Sequence, residues 1–271
     1  MGLVYIDPSA QNRTGGNMSD NKLKAAFADG QVALGPFVNL ASGALVEIAA
    51  IAGFDFVIID TEHGPLDIPV AEDLCRVARS AGITPIVRIR ENDPPQILRA
   101  LDIGADGVQV PQICTREDAE AVVHAAKYAP LGMRGVSPYT RAARYFADGA
   151  AIFERLNQDQ MIIVHIEGVE GLENLSEIIQ VKGLDVIFLG PYDLSQSLGI
   201  PGQVEDPRVV ERMREASAEI NAAGLTVGTF AGTPEAARRW IDAGVRYVSL
   251  SVDTGIYLEG CRRMVAETRG T

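Results

Sequence analysis

The chain has 271 residues, a length that an α/β barrel routinely fills as a single domain. Its 47% hydrophobic and 22% charged residues are those of a soluble globular protein, and no apolar run approaches the ~18 to 20 residues of a membrane span. A net charge of −12, from 24 basic against 36 acidic residues, excludes a basic footprint for nucleic acid and leaves any anionic ligand to local groups.

Residues 1–17, MGLVYIDPSAQNRTGGN, lack the basic start and apolar run of a secretory signal. We read 1–18 as a flexible tail and 19–271 as a single barrel domain, with Ser19 or Asp20 capping the first helix. From residue 32 onward, β-branched runs alternate with amphipathic helical stretches, the pattern of βα units around a parallel sheet. The candidate strands are 33–38, 56–60, 85–89, 107–110, 162–167, 185–190, 226–230 and 247–251. Eight is the count that closes a (β/α)8 TIM barrel. Helical stretches at 43–53, 71–82, 95–105 and 116–130 end repeatedly in Gly or Pro. The phrases AGFD, AGIT, IGAD, AAGL and AGVR precede strands and read as turns whose glycine accepts positive φ. The irregular segment 132–150 is long enough to be a lid or binding loop. Cys75, Cys114 and Cys261 form no ligand pair, and their odd number fits a reduced, cytoplasmic protein.

In such a barrel, catalytic groups project from the carboxyl ends of the strands, and the polar residues gather there. Asp60, Glu62 and His63 end the second strand, Arg88 and Arg90 lie on the third, His165 and Glu167 on the fifth, and Tyr192 and Asp193 after the sixth. Glu167 in VHIEG and Asp193 in GPYDLS are one βαβ repeat apart. With adjacent strands about 4.8 Å apart, both carboxylates can reach one ion. Oxygen donors favour Mg²⁺ or Mn²⁺, with Co²⁺ or Zn²⁺ as alternatives; the bland reading is salt bridges or loop-amide hydrogen bonds.

Arg88 within PIVRI must face something anionic, either a substrate carboxylate or enolate or a buried partner such as Glu62 or Asp60. His63 is either a proton shuttle or merely hydrogen-bonded. Arg141 and Arg144 in SPYTRAARY either bind the distal end of a substrate or are solvated. Trp240 reads as helix packing. The four lysines, Lys22, Lys24, Lys127 and Lys182, fall outside the candidate strands, which argues against a Schiff-base mechanism.

DTEHGPLD, VRIRENDP, ALDIGADGVQVPQ, GMRGVSP, IEGVEGLENL and IFLGPYDLS, in this order across residues 32 to 260, resemble the HpcH/HpaI aldolase and citrate lyase family. The resemblance implies a metal-dependent (β/α)8 barrel that assembles as a homo-oligomer, a trimer or hexamer, with terminal helices exchanged between subunits. It implies Glu167 and Asp193 as metal ligands, Arg88 as the group holding the pyruvyl oxygens and His63 as the base. It further implies Asp102, in ALDIG, as the acid partnering that histidine, and Asp60 near a water on the ion. Backbone amides at Tyr192 and Asp193 would receive the substrate carboxylate. His165 departs from the glutamine of many relatives while keeping a donor near the substrate, and Tyr192 departs from a small residue.

The implied reaction is reversible cleavage of a 4-hydroxy-2-oxo acid to pyruvate and an aldehyde. Alternatives are a thioester lyase or synthase of the citrate lyase β or malyl thioester type, a phosphoenolpyruvate-converting enzyme, and a non-catalytic oligomeric binding protein.

Overall fold

The computed structural model describes residues 21–270. The expected tail, and Ser19 and Asp20, lie outside these residues. Asn21 caps the first helix instead, its side-chain oxygen accepting from the Leu23 and Lys24 amides.

Eight strands, Ala33–Val38 (β1), Phe56–Asp60 (β2), Thr84–Arg88 (β3), Gly107–Val110 (β4), Met161–Ile166 (β5), Val186–Leu189 (β6), Thr226–Ala231 (β7) and Tyr247–Val252 (β8), form a closed barrel. Each pairs in parallel with its sequence neighbour, and β8 closes on β1. The helices are Lys22–Ala28 (α1), Gly43–Ala52 (α2), Ile68–Ala81 (α3), Pro94–Asp102 (α4), Arg116–Ala126 (α5), Ala151–Asp159 (α6), Val169–Glu173 (α7), Leu175–Ile178 (α8), Pro191–Ser197 (α9), Pro207–Ala222 (α10), Pro234–Asp242 (α11) and Asp253–Arg269 (α12). The chain is therefore a (β/α)8 TIM barrel. Among the described residues, no helix is long and apolar enough to cross a membrane.

Strand alternation sorts side chains into two cores. Outward residues such as Val57, Ile59, Val87 and Val108 pack against the helices, where Trp240 is also buried. Inward residues such as Phe56, Ile58, Ile86, Ile163, Phe188 and Tyr247 fill the barrel, with Leu23 of α1 joining them. Phe56 stacks on Tyr247 with ring centroids 4.3 Å apart. A Cβ on Gly35 would come within 2.3 Å of the Phe56 carbonyl, so only glycine lets that ring lie across β1.

Helix ends follow local chemistry. Asp67 accepts from the Val70 amide and starts α3 three residues before the apolar period suggests, while Thr115 and Asp118 form a capping box on α5. Gly53 and Gly244, in two of the recurring turns, take φ of 95° and 97°. Helix α5 ends at Ala126, short of the expected 130, because the following residues turn away before Pro130.

The segment 132–150 is not a lid over the strand carboxyl ends. Helix α5 carries the chain back to the amino ends of the strands before this segment begins, so it connects to α6 and β5 at the opposite mouth.

Candidate active site

At the carboxyl ends of the strands lies a cavity of about 370 Å³. Asp60, His63, Arg88, His165, Glu167, Tyr192 and Asp193 line it, together with Phe37, Asn39, Phe188, Gly190 and Phe230. Strand register brings the charged groups together: Asp60 on β2 pairs with Arg88 on β3, and Arg88 with Gln109 on β4.

Arg88 has the buried acidic partners that the sequence offered, and it also lines the cavity. Its Nε and Nη2 donate to the two Asp60 oxygens at 2.8 and 2.7 Å, and Nη1 lies 3.1 Å from Glu62 Oε2. Its guanidinium also stacks over Phe37, 4.5 Å from the ring centroid. A guanidinium has five N–H donors, so about two remain for a ligand. Burial disfavours the cation, but the carboxylates outweigh this and raise its pKa. Asp60 is occupied in turn: besides Arg88, its Oδ1 accepts from the Glu62 and His63 amides at 3.1 and 3.3 Å, so Asp60 holds Arg88 and shapes the loop bearing His63. His63 is exposed at the rim.

Glu167 continues the inward face of β5. Its Oε2 faces His165 Nδ1 at 3.1 Å, and its Oε1 accepts from the Gln112 amide at 2.8 Å. Gln112 takes φ of 58°, an uncommon conformation for a residue with a side chain, which costs about 1–3 kcal/mol and here aims an N–H at the carboxylate. Burial pushes Glu167 up, but His165, this amide and Arg88 more than offset it and hold the carboxyl below its ordinary value. Glu167 lies against Gly190, where an added Cβ would fall 2.7 Å from the Glu167 Cβ. Asp193, in the first turn of α9, is exposed at the cavity edge, and Tyr192 packs edge-on against Phe230 at 5.7 Å.

The cavity and its margin hold four carboxylates, Asp60, Glu62, Glu167 and Asp193, against one guanidinium, Arg88. Glu62 records that surplus. Burial, opposed by Arg88 and reinforced by Glu167, Asp60 and Asp193, pushes its carboxyl from 4.5 up to about 7. Among the described residues, no group of three or more His, Cys, Asp or Glu side chains is gathered closely enough to enclose an ion. Two acids, open positions and excess negative charge fit a hard divalent cation that also binds water or substrate.

Two expected residues are not in this cavity. Asp102 ends α4 at the amino-terminal mouth, where it pairs with the buried Arg134, so the chain does not bring it to His63. Arg141 lines a separate cavity of about 660 Å³ beside Arg79, Gly104, Asp106 and Gln160, also at the amino-terminal mouth. Lys127, pushed by burial down to about 8, donates there to the Asn157 and Gln160 carbonyls. It lies outside the cavity at the carboxyl ends of the strands.

Sequence reading missed Gln109, Gln112 and Tyr247. Gln109 carried the same signal as Arg88, a polar residue inside an apolar strand. Tyr247 looked like an ordinary strand aromatic.

The sequence model of the HpcH/HpaI aldolase/citrate lyase family matches residues 33–259. A hydroxypyruvate/pyruvate aldolase of Cupriavidus necator is 33% identical over 251 residues, covering 93% of each chain. A 4-hydroxy-2-oxo-heptane-1,7-dioate aldolase of Klebsiella pneumoniae is 34% identical over 91% of this chain and 93% of its own. The crystal structure of the citrate synthase SbnG superposes with a TM-score of 0.83 at 33% identity, covering 92% of this chain and 97% of that one. Together with the barrel and its acid-lined mouth, these matches show that the chain belongs to the HpcH/HpaI aldolase/citrate lyase family and is an enzyme of the aldolase/lyase class.

Proposed function

We propose that the protein is a divalent-cation-dependent aldolase that reversibly cleaves a 4-hydroxy-2-oxo acid to pyruvate and an aldehyde. The surplus of carboxylates on one cavity carries this reading, because Glu167 and Asp193 face the same space as Arg88 and His63. The names of the aldolase relatives support the substrate class. Mg²⁺ or Mn²⁺ suits the donors best, with Co²⁺ or Zn²⁺ as substitutes.

Glu167 and Asp193 would hold the cation, whose chemistry is Lewis-acid polarisation of the 2-oxo acid. Unpaired N–H groups of Arg88 would donate to the keto oxygen as it gains charge, a contribution of about 3 kcal/mol for a preorganised donor. His63 would take the proton of the 4-hydroxyl group. The C3–C4 bond then breaks, the aldehyde leaves, and the electron pair passes to the C2–C3 enolate. Protonation of C3 by the proton that His63 carries would give the pyruvate methyl group and restore the base. The amides of Tyr192 and Asp193 would receive the substrate carboxylate, with His165 beside it. Asp60 would hold Arg88 in register. Asp102 and Arg141 take no part within one chain.

Chelator-stripped protein supplied with each cation in turn, and assayed for pyruvate release from 4-hydroxy-2-oxo acids, tests the reading. Failure with every cation and every such acid would refute it. The similarity to a citrate synthase favours a second reading, a lyase or synthase acting on larger carboxylic or thioester substrates. Turnover of acyl thioesters without aldol cleavage would select it.

The same reading includes a homo-oligomer, a trimer or hexamer. Its support is the apolar surface of α12, where Ile256, Tyr257, Leu258, Met264 and Val265 are exposed. Light scattering giving a monomer mass would refute it.

A further inference from the structure

Beneath the cavity floor, a line of hydrogen-bonded polar side chains crosses the barrel interior. Tyr247 on β8 and Gln109 on β4 are fully buried, and neither lines the cavity. The Tyr247 hydroxyl donates to Gln109 Oε1 at 3.0 Å. The Gln109 amide nitrogen meets His165 Nε2, and His165 Nδ1 faces Glu167 Oε2 at 3.1 Å.

Donor and acceptor chemistry gives this line one direction. A carboxylate only accepts, so the ring nitrogen facing Glu167 carries the hydrogen. In the neutral ring, Nε2 is then an acceptor and requires a donor, which the Gln109 amide supplies. Its carbonyl oxygen is thereby turned toward Tyr247, whose hydroxyl satisfies it. A reversed Gln109 could still donate to the Tyr247 oxygen but would point its own oxygen at the Nε2 lone pair, breaking the relay at His165. Packing fixes the ring plane: Phe188 stacks on His165 with centroids 4.3 Å apart, and Tyr247 is itself stacked on Phe56.

Four buried polar groups satisfied in a row are costly to assemble and rigid once assembled. The relay ends on Glu167, whose second oxygen is held by the Gln112 amide, so both carboxylate oxygens are oriented before any ligand arrives.

We propose that Tyr247 and Gln109 are positioning residues that act through the Nδ1–H tautomer of His165 to orient Glu167 for a divalent cation. The proposal rests on the reading of Glu167 as a cation ligand. Removing such outer partners typically weakens metal binding about 10- to 100-fold.

The test uses Tyr247→Phe, which keeps the ring stack, and Gln109→Met, which keeps volume in the barrel, with circular dichroism to establish the fold. Mn²⁺ affinity is measured by calorimetry. The three histidines make long-range ¹H–¹⁵N spectra of the metal-free imidazoles simple to assign. In the wild type, His165 should show a protonated Nδ1 and an unprotonated Nε2. Both folded variants should shift the His165 signals and weaken Mn²⁺ about 10-fold or more. Wild-type Mn²⁺ affinity in both variants would overturn the proposal, whatever the spectra show. A wild-type His165 protonated at Nε2 alone would overturn it as well. Glu167→Gln separates the two claims: undiminished Mn²⁺ binding in that variant would refute the cation reading itself, whereas the metal-free spectra test the relay independently.

Discussion

Replacing Glu62 with glutamine should stabilise the protein, by an amount that depends on pH. Glu62 lies 3.1 Å from Arg88 in a cavity margin crowded with carboxylates, and burial and those neighbours push its carboxyl from 4.5 up to about 7. Between these values, the folded chain holds a proton that the unfolded chain releases, so stability falls as pH rises through this window and levels off above 7. The displacement corresponds to about 3 kcal/mol at most. Water in the open cavity screens the charges, which leaves about 1–2 kcal/mol as the working figure.

Glutamine cannot ionise and escapes this loss. Since about 1 kcal/mol moves the melting point of a domain this size by about 2–4 °C, Glu62→Gln should melt some 2–8 °C above the wild type at pH 8 and near it at pH 5. Adding Mn²⁺ should narrow the difference at pH 8, because a cation offsets the same surplus charge. Melting curves at pH 5, 6, 7 and 8, with and without Mn²⁺, supply the comparison. A difference that stays constant across this range would refute the electrostatic reasoning.

Arg88→Met should leave Asp60 and Glu62 as buried, unpaired acids. It should cost about 3–5 kcal/mol of stability and lower kcat about 10²- to 10³-fold, read from melting curves and pyruvate release. Gly190→Ala should lower Mn²⁺ affinity with little change in circular dichroism, because the new methyl group would sit 2.7 Å from the Glu167 Cβ and displace that side chain. His63→Ala, at an exposed position, should keep the wild-type melting point while proton exchange at the pyruvate methyl group falls about 10²- to 10⁴-fold.

Much of the barrel was legible because β-branched runs and glycine-ended helices report local physics, and strands such as FVIID and GVQV lie within a residue or so of their expected bounds. The two acids were legible for a related reason: Glu167 continues the inward-facing run of β5, Asp193 opens the helix after β6, and barrel closure sets both on one cavity. Asp102 and Arg141 lie away from the cavity of their own chain; a resemblance carries a role with a position but does not say which mouth of the barrel that position occupies. Asp102 ends a descending helix and Arg141 follows one, and that order alone assigns them to the amino-terminal mouth. The partners of Gln109 were hidden for a different reason, since Tyr247 lies 138 residues away and only barrel closure brings their side chains together.

The most direct test is hydrogen exchange at the methyl group of pyruvate in D₂O, followed by proton NMR on chelator-stripped protein. Exchange should be nearly absent without a cation and return with Mn²⁺ or Mg²⁺, and Glu167→Gln and Asp193→Asn should each require far more cation to restore it. Full exchange by the stripped wild type, or a wild-type cation requirement in both variants, would contradict the claim that these two acids hold the ion on which the chemistry depends.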